Sequence, residues 1–279
     1  MREIFENEIS KVIEDLFVSA CEDIPENVLA CLKEAEKREE SELGKEIIRR
    51  IIDNDLLARE KHLPICQDTG VAVVFAEVGY DVHINGDIYN AINEGVANAY
   101  VNGFLRKSVV RHPLDRVNTK NNTPAIVHVK LVPGDKIKLS VAPKGGGSEN
   151  MSIVKMLIPA DGIEGIKKTV LDVVTAGGGK PCPPIMVGVG IGGNFEKCAL
   201  LAKEALMREI DDVNEDPILK QLEEDLVKEI NDTGIGAMGL GGTVTCLAVK
   251  ANAHPCHIAS LPLAVNIQCH AARHKTAII

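Results

Sequence analysis

The sequence LPICQDTGVAVVF at residues 63–75 combines a candidate reactive loop with a candidate core strand. Positions 66–69 place a thiol, an amide, a carboxylate and a hydroxyl one after another. The apolar run at 71–75 that follows them predicts a buried strand. Because four reactive or hydrogen-bonding side chains stand at the entrance to this strand, we predict a functional site built on Cys66 and Asp68.

The composition indicates a globular protein. The 279 residues are enough for one large domain or two modest ones, and the 45% of hydrophobic residues is an ordinary share. No apolar run approaches the roughly 18–20 residues that cross a bilayer. The charged N-terminal sequence MREIFENEIS lacks the apolar core of a signal peptide. We therefore expect a cytoplasmic protein.

The net charge of −9 at pH 7 restricts the classes of partner. Nucleic acid is disfavoured, because binding phosphates requires a basic face. An anionic substrate would require a local patch of arginine and lysine whose positive charge counteracts the negative electrostatic field of the whole protein. Small-molecule chemistry in a locally basic site is therefore favoured over nucleic-acid binding.

Hydrophobic periodicity predicts a mixed α/β fold. Residues 3–60 have a helical pattern, and residues 61–279 alternate helical and strand-like segments without a linker or repeat, so one domain over 1–279 is expected. Asp87 and Asn194 are candidate helix N-caps. Strand-like segments at 125–132 and 136–143, joined by a Pro-Gly-Asp sequence, predict a hairpin. A further strand pair is expected around TVTCLAVKA and LAVNIQ.

The eight cysteines fall into two groups. In a reducing cytoplasm they are either buried small apolar residues or metal ligands. Burial in the core is favoured for four cysteines in helical or strand patterns: Cys21, Cys31, Cys198 and Cys246. The other four stand beside proline, glycine or histidine and are candidate ligands: Cys66, Cys182, Cys256 and Cys269.

Three types of functional site are alternatives for these motifs. Gly188, Gly190 and Gly193 fit a GxGxxG dinucleotide signature, but no second strand with an acidic end follows, so a tight strand-to-helix turn is favoured. The single DTG at 68–70 lacks the second carboxylate of an aspartic protease. A structural zinc module is the remaining alternative, although its candidate ligands lack a repeated C-x-x-C: His254, Cys256, His257, Cys269, His270 and His274.

Taken together, five long and ordered motifs resemble the α subunit of the iron–sulfur-dependent fumarases and L-tartrate dehydratases. They are PICQDTG, GGGSEN, KPCPPIMVGVGIGGNFEKCALLAKEAL, MGLGGTVTCLAVKANAHPCHIASLP and NIQCHAARH, and they extend over nearly the whole chain. The resemblance implies a [4Fe–4S] cluster with three cysteine ligands at Cys66, Cys182 and Cys269. Cys256 is left unassigned, and if it bound iron, the assignment of Cys269 would change.

The resemblance also implies substrate contacts. Asp68 is expected to transfer a proton, Gln67 to hydrogen-bond substrate or cluster, and His257 to contact a substrate carboxylate and take part in catalysis. Arg106 is expected to bind a carboxylate, which a guanidinium grips with two parallel hydrogen bonds. Gly146 is expected to offer a backbone N–H. Three further cations would add positive field: Lys107, Lys144 and Arg273.

The chemistry agrees with this resemblance. Thiolates are soft ligands suited to clusters, and three of them leave one iron open as a Lewis acid for a hydroxyl and a carboxylate oxygen of malate. The proton next to a carboxylate is weakly acidic, so a placed acid or base is needed. Taken alone, Asp68 would be a turn-capping carboxylate, Arg106 a solvated helix-end charge and His257 a structural histidine.

The chain ends ten residues after Cys269, whereas single-chain members of the family continue into a second domain with further substrate-binding groups. We therefore expect a separate β subunit and a heterotetramer, or a homo-oligomer of α subunits. Fumarate and L-malate are the expected substrates because that activity is the more widespread one, and L-tartrate is the alternative.

Overall fold

The computed structural model describes residues 2–279 and confirms the mixed α/β class. Within these residues the strands and helices follow one another in this order: β1 Arg2–Phe5, α1 Glu6–Glu22, α2 Glu26–Arg38, α3 Glu42–Lys61, β2 Val71–Gly79, β3 Val82–Asn85, α4 Ile88–Asn102, β4 Ile126–Val132, β5 Ile137–Lys144, α5 Gly146–Glu149, β6 Ile153–Leu157, α6 Gly162–Gly177, β7 Ile185–Gly192, α7 Phe195–Ala205, α8 Pro217–Asn231, β8 Cys246–His254, β9 Leu261–Gln268 and β10 Lys275–Ile278.

The chain divides into two compact units whose segments alternate along the sequence. The first unit consists of residues 2–25, 55–146 and 273–279 within the described chain, and the second of residues 26–54 and 147–272. The boundary after residue 54 falls inside α3. One functional domain over 1–279 therefore stays a prediction. No helix within residues 2–279 has both the length and the apolar character required to cross a membrane.

The first unit is built on a four-stranded sheet in the order β10-β5-β2-β4. β2 is an inner strand whose apolar residues are buried along most of its length, and it pairs antiparallel with β5 and parallel with β4. Helices α1 and α4 supply much of the remaining core, where the rings of Phe17 and Tyr100 pack 6.2 Å apart. Asp87 caps α4 as predicted, since its side chain accepts hydrogen bonds from the Tyr89 and Asn90 N–H groups.

The predicted hairpin of β4 and β5 is wrong. Both strands exist and run antiparallel, but β2 lies between them. The Pro133–Asp135 connection spans the end of β2, where the N–H of Tyr80 bonds the Val132 carbonyl and the N–H of Asp81 bonds the Gly134 carbonyl. A proline-glycine turn marks a change of direction, but it does not determine whether the two strands are neighbours.

The second unit contains a four-stranded sheet in the order β6-β9-β7-β8. β7 pairs parallel with β8 and antiparallel with β9, so the predicted pair of strands 243–251 and 263–268 is also separated by an inserted strand. Ile185, Val187 and Val189 of β7 belong to the core formed with α6 and α8. Asn194 caps α7 as predicted by accepting the N–H of Lys197.

The glycines of the GxGxxG pattern serve packing between β7 and α7. A Cβ atom on Gly188 would lie far inside contact distance of the Ala202 carbonyl oxygen, and one on Gly190 would do the same at the Cys198 carbonyl. The absence of side chains on this face of β7 is what lets the α7 backbone approach the sheet. These contacts agree with the strand-to-helix interpretation.

Replacing Gly190 with alanine should therefore destabilise the protein. The added methyl group has no space against the Cys198 carbonyl, and overpacking of this kind costs about 1–3 kcal/mol. Gly177→Ala is the matched control, since its nearest new contacts would be ordinary ones at 3.7 Å. Urea unfolding, monitored by circular dichroism, measures the free energy of unfolding of each variant. Equal unfolding free energies for the two variants would contradict the packing role.

Candidate metal centre and active site

The loop that carries Cys66 lies between α3 and β2 in the first unit. The Cys66 side chain is half-buried, and its Sγ accepts a hydrogen bond from the Asp68 N–H at 3.4 Å. The Gln67 Oε1 atom lies 3.3 Å from the same Sγ, and Gln67 itself is exposed. The loop backbone therefore holds the Cys66 sulfur in a fixed position at the surface of the first unit.

Asp68 is held at both carboxylate oxygens. Its Oδ1 accepts the Gly70 N–H at 3.0 Å, and its Oδ2 accepts the Gly146 N–H at 2.8 Å. The buried Arg273 donates from Nη1 to the Asp68 carbonyl oxygen at 2.8 Å. The turn-capping interpretation of Asp68 therefore describes its contacts correctly. The Gly146 N–H, which the sequence assigned to substrate or cluster, is bonded to Asp68.

Strand register explains why Asp68 meets Gly146. β2 begins at Val71, which is paired with Lys144 at the end of the antiparallel β5. Residues before β2 and residues after β5 therefore leave the sheet at the same edge. Gly70 fits there because a Cβ atom would lie 2.7 Å from the Lys144 backbone, and its φ of +76° is unfavourable for other residues.

Arg106 is attached to the same loop through its backbone. The buried Thr69 donates from Oγ1 to the Arg106 carbonyl oxygen at 2.9 Å, while the Arg106 side chain is exposed. Tyr100, which the sequence analysis did not single out, donates its hydroxyl to the Thr69 carbonyl at 2.5 Å. The structure thus brings Gln67, Asp68 and Arg106 into one region of the first unit.

Cys182 lies in the second unit on the loop between α6 and β7. Its side chain is exposed, and its φ is +57°, a left-handed conformation that costs a residue with a side chain about 1–2 kcal/mol. The loop is supported from one side by the Met238 N–H, which donates to the Pro183 carbonyl oxygen at 2.8 Å. Strained backbone of this kind concentrates at functional sites.

Cys269 comes next to the Cys182 loop although 87 positions separate them. It directly follows β9, whose last residue, Gln268, is paired with Met186 near the start of the antiparallel β7. The backbone N–H of His270 contacts the Cys182 carbonyl oxygen at 3.5 Å. The Cys269 Sγ accepts a hydrogen bond from Gln268 Nε2 at 3.5 Å. These two candidate ligands therefore share one edge of the sheet.

His257 and Cys256 lie at the opposite edge of that sheet. They belong to the exposed connection between the end of β8 and the start of β9. The eight residues of β9 rise by about 24 Å in total. Within the second unit, the structure therefore does not bring His257 to Cys182 and Cys269, and it does not group Cys256 with Cys269 either.

The zinc interpretation requires several of these side chains around a single ion. No three His, Cys, Asp or Glu residues in the described chain 2–279 are grouped in that way. In the second unit, β9 separates Cys256 and His257 from Cys269 and His270. An iron–sulfur cluster has a different requirement, because each of its cysteine thiolates binds a separate iron atom.

Burial distinguishes two classes of cysteine. Desolvation raises the pKa of Cys21 and of Cys246 to about 12, and burial also raises the pKa of Cys31 and Cys198. Cys21, Cys198 and Cys246 are buried, as predicted for core cysteines, whereas Cys31 is only half-buried, so the prediction of core burial is wrong for Cys31. The candidate ligands are half-buried or exposed and are free of disulfides: Cys66, Cys182 and Cys269. Accessible thiols on loops fit the donor set of an iron–sulfur cluster.

Known proteins resemble this chain over nearly its full length. A family model described as fumarate hydratase (Fumerase) matches residues 10–278. A protein of Methanocaldococcus jannaschii, provisionally named L(+)-tartrate dehydratase subunit alpha, is 45% identical over 272 residues, which are 95% of each chain. The L(+)-tartrate dehydratase subunit alpha of Escherichia coli K12 is 30% identical over 98% of this chain and 91% of its own length.

The difference in burial predicts which thiols react in the folded, metal-free chain. At about pH 8, iodoacetamide should label Cys182 and Cys256 rapidly, because both are exposed. Cys21 and Cys246 should stay unlabelled, since a pKa of about 12 leaves a thiolate fraction on the order of 10⁻⁴. Peptide mass spectrometry measures the rates. Urea-unfolded protein is the control, and rapid labelling of Cys246 in the folded chain would contradict this assignment.

Proposed function

The chain belongs to the fumarate hydratase (Fumerase) family of hydro-lyases, and we propose that it is the α subunit of a [4Fe–4S] enzyme that interconverts fumarate and L-malate. One observation carries this proposal. The loops of Cys182 and Cys269, far apart in sequence, meet at one sheet edge with accessible thiols. The resemblance of the PICQDTG motif to the family adds Cys66. These three cysteines are the proposed cluster ligands.

When bound, the cluster supplies an open iron that acts as a Lewis acid toward the hydroxyl and carboxylate oxygens of the substrate. Substrate binding and proton transfer are assigned to side chains of this chain. Arg106 is exposed and free to bind a substrate carboxylate with two parallel hydrogen bonds. Gln67 is exposed beside Cys66 and offers both a donor and an acceptor.

Asp68 is the proposed proton-transfer group. The proton at the carbon next to a carboxylate is weakly acidic, so its removal or delivery needs a placed acid or base. The Gly70 and Gly146 N–H groups fix the orientation of the Asp68 carboxylate, and each of its oxygens keeps a further lone pair. In this proposal Gly146 acts by orienting Asp68, because its single backbone N–H is bonded to that carboxylate instead of to substrate or cluster.

His257 is proposed to bind a substrate carboxylate in the site of a second copy of the chain. Within the second unit of one chain, His257 is separated from Cys269 by strand β9, which is about 24 Å long. It is also exposed, and the Ala259 N–H bonds its Nδ1 at 3.1 Å, which leaves Nε2 for a ligand. A pair of α chains would then be part of the working enzyme, consistent with a heterotetramer.

A separate β subunit is the other proposed partner. The relatives from Methanocaldococcus jannaschii and Escherichia coli carry names that designate them as α subunits, and the chain matches them over most of their length. We propose that this chain likewise assembles with a β subunit that supplies further cationic groups, and that the enzyme works in the cytoplasm. A net charge of −9 makes additional cations valuable for a dianionic substrate.

L-Tartrate is the second candidate substrate, and the names of the relatives favour it. Tartrate differs from malate by one hydroxyl group. The more similar of these two relatives carries its name provisionally, and the other is 30% identical. Fumarate and malate therefore remain the first proposal, in line with the description of the matching family.

An anaerobic assay with the purified α and β chains tests this function. The mixture should be brown and contain iron and sulfide. It should hydrate fumarate faster than it dehydrates L-tartrate. The loss of fumarate absorbance measures the first reaction, and the formation of oxaloacetate measures the second. The α chain alone should show little turnover. Faster tartrate dehydration would favour the second candidate, and a colourless mixture inactive on both acids would refute the proposal.

A complementation experiment tests the role of His257 in a second copy. Enzymes assembled from Asp68→Asn chains alone or His257→Asn chains alone should keep their iron and lose activity. Co-expression of both variants should restore up to about one quarter of wild-type activity, because half of random pairs carry one intact site. No recovery above the separate variants would show that His257 acts in its own chain or not at all.

A further inference from the structure

Asn122 is a fully buried polar residue that joins two loops of the first unit. Its Oδ1 accepts the backbone N–H of Ser108 at 2.6 Å and that of Val109 at 3.1 Å. Its Nδ2 donates to the carbonyl oxygen of Gly70 at 3.1 Å. One end of the amide therefore holds the loop that follows Arg106, and the other end holds the loop that contains Asp68.

The backbone of Asn122 is a second specific feature. Its φ is +60°, in the left-handed region that asparagine enters more readily than other residues with a side chain. Glycine can adopt this backbone conformation while removing the amide contacts. The position therefore allows an experiment that separates backbone conformation from hydrogen bonding.

Thr69 provides a parallel connection between the same two loops. It is 1% exposed, and its Oγ1 donates to the Arg106 carbonyl oxygen at 2.9 Å. The Tyr100 hydroxyl bonds the carbonyls of Thr69 and Gly70 at 2.5 and 3.2 Å. The Arg106 carbonyl is thus bonded directly to Thr69 of the Asp68 loop. The residues that follow Arg106 are connected to Gly70 of the same loop through Asn122.

We propose that Asn122 and Thr69 are positioning residues that fix the location of Arg106 relative to Asp68. This inference rests on the proposed function, in which Arg106 binds a substrate carboxylate and Asp68 transfers a proton. Neither Asn122 nor Thr69 touches the substrate. Their hydrogen bonds hold the exposed Arg106 loop in place before substrate arrives, which lowers the cost of ordering it on binding.

A purely structural role would produce a different result. If these residues only stabilised the fold, their loss would lower iron content, kcat and substrate affinity together. If they position Arg106, their loss should raise KM for the dicarboxylate while iron content is retained. The cluster ligand Cys66 lies on the same loop as Thr69, so iron content is the required control measurement.

Two pairs of variants in the assembled enzyme test the proposal. Asn122→Gly should raise KM for fumarate by about tenfold or more with a smaller effect on kcat, because misplacement by 1 Å can cost ~100-fold. The matched control Asn121→Gly should leave KM unchanged, since the Asn121 side chain accepts a hydrogen bond from the nearby Thr123 N–H and does not connect the Arg106 and Asp68 loops. Thr69→Val should also raise KM, and Thr69→Ser should restore it by returning the hydroxyl.

Hydrogen exchange supplies a readout that does not depend on activity. Exchange at the Ser108 and Val109 amides should rise by about tenfold or more in Asn122→Gly and stay unchanged in Asn121→Gly. Unchanged exchange, or a joint fall of iron content, kcat and affinity, would overturn the proposal. A wild-type enzyme inactive on both acids would refute the proposed function, while the exchange data would still decide whether Asn122 connects the loops.

Discussion

Antiparallel strand pairing is the constraint on which both regions of the candidate site depend. In the first unit, pairing of β2 with β5 brings the Asp68 loop to Gly146 at one sheet edge. In the second unit, pairing of β7 with β9 brings Cys182 to Cys269. A shift of one residue in either register would turn buried faces outward, so the core that fixes the register also fixes the site.

Local features of the fold were predictable from the sequence because their causes are local. Asp87 and Asn194 cap helices through N–H groups two or three residues away, and both were identified from their position before an apolar repeat. The separation of the cysteines into core and loop residues was predictable for the same reason. Cys21 and Cys246 lie in regular apolar patterns, and their burial raises the pKa of both thiols.

Strand neighbours and the convergence of distant loops were not predictable in this way. The Pro133–Asp135 sequence has the composition of a hairpin turn, yet the two strands that it connects are not neighbours, because β2 pairs with both of them and lies between them. β6 was not predicted from the sequence; it is a short strand, and four of its five residues are exposed although most of them are apolar. The meeting of Cys182 with Cys269, and the distance of His257 from them, follow from strand order, which no residue spacing encodes.

The contacts of Asp68 unite its structural and catalytic interpretations. A carboxylate that caps a turn is usually taken to be structural, and the bonds from Gly70 and Gly146 fit that description. Proton transfer, however, requires a carboxylate with one fixed orientation, and these two N–H groups provide it. The buried Arg273 holds the Asp68 backbone from the other side. If Asp68 transfers a proton as proposed, the turn geometry is what orients its half-buried carboxylate for that step.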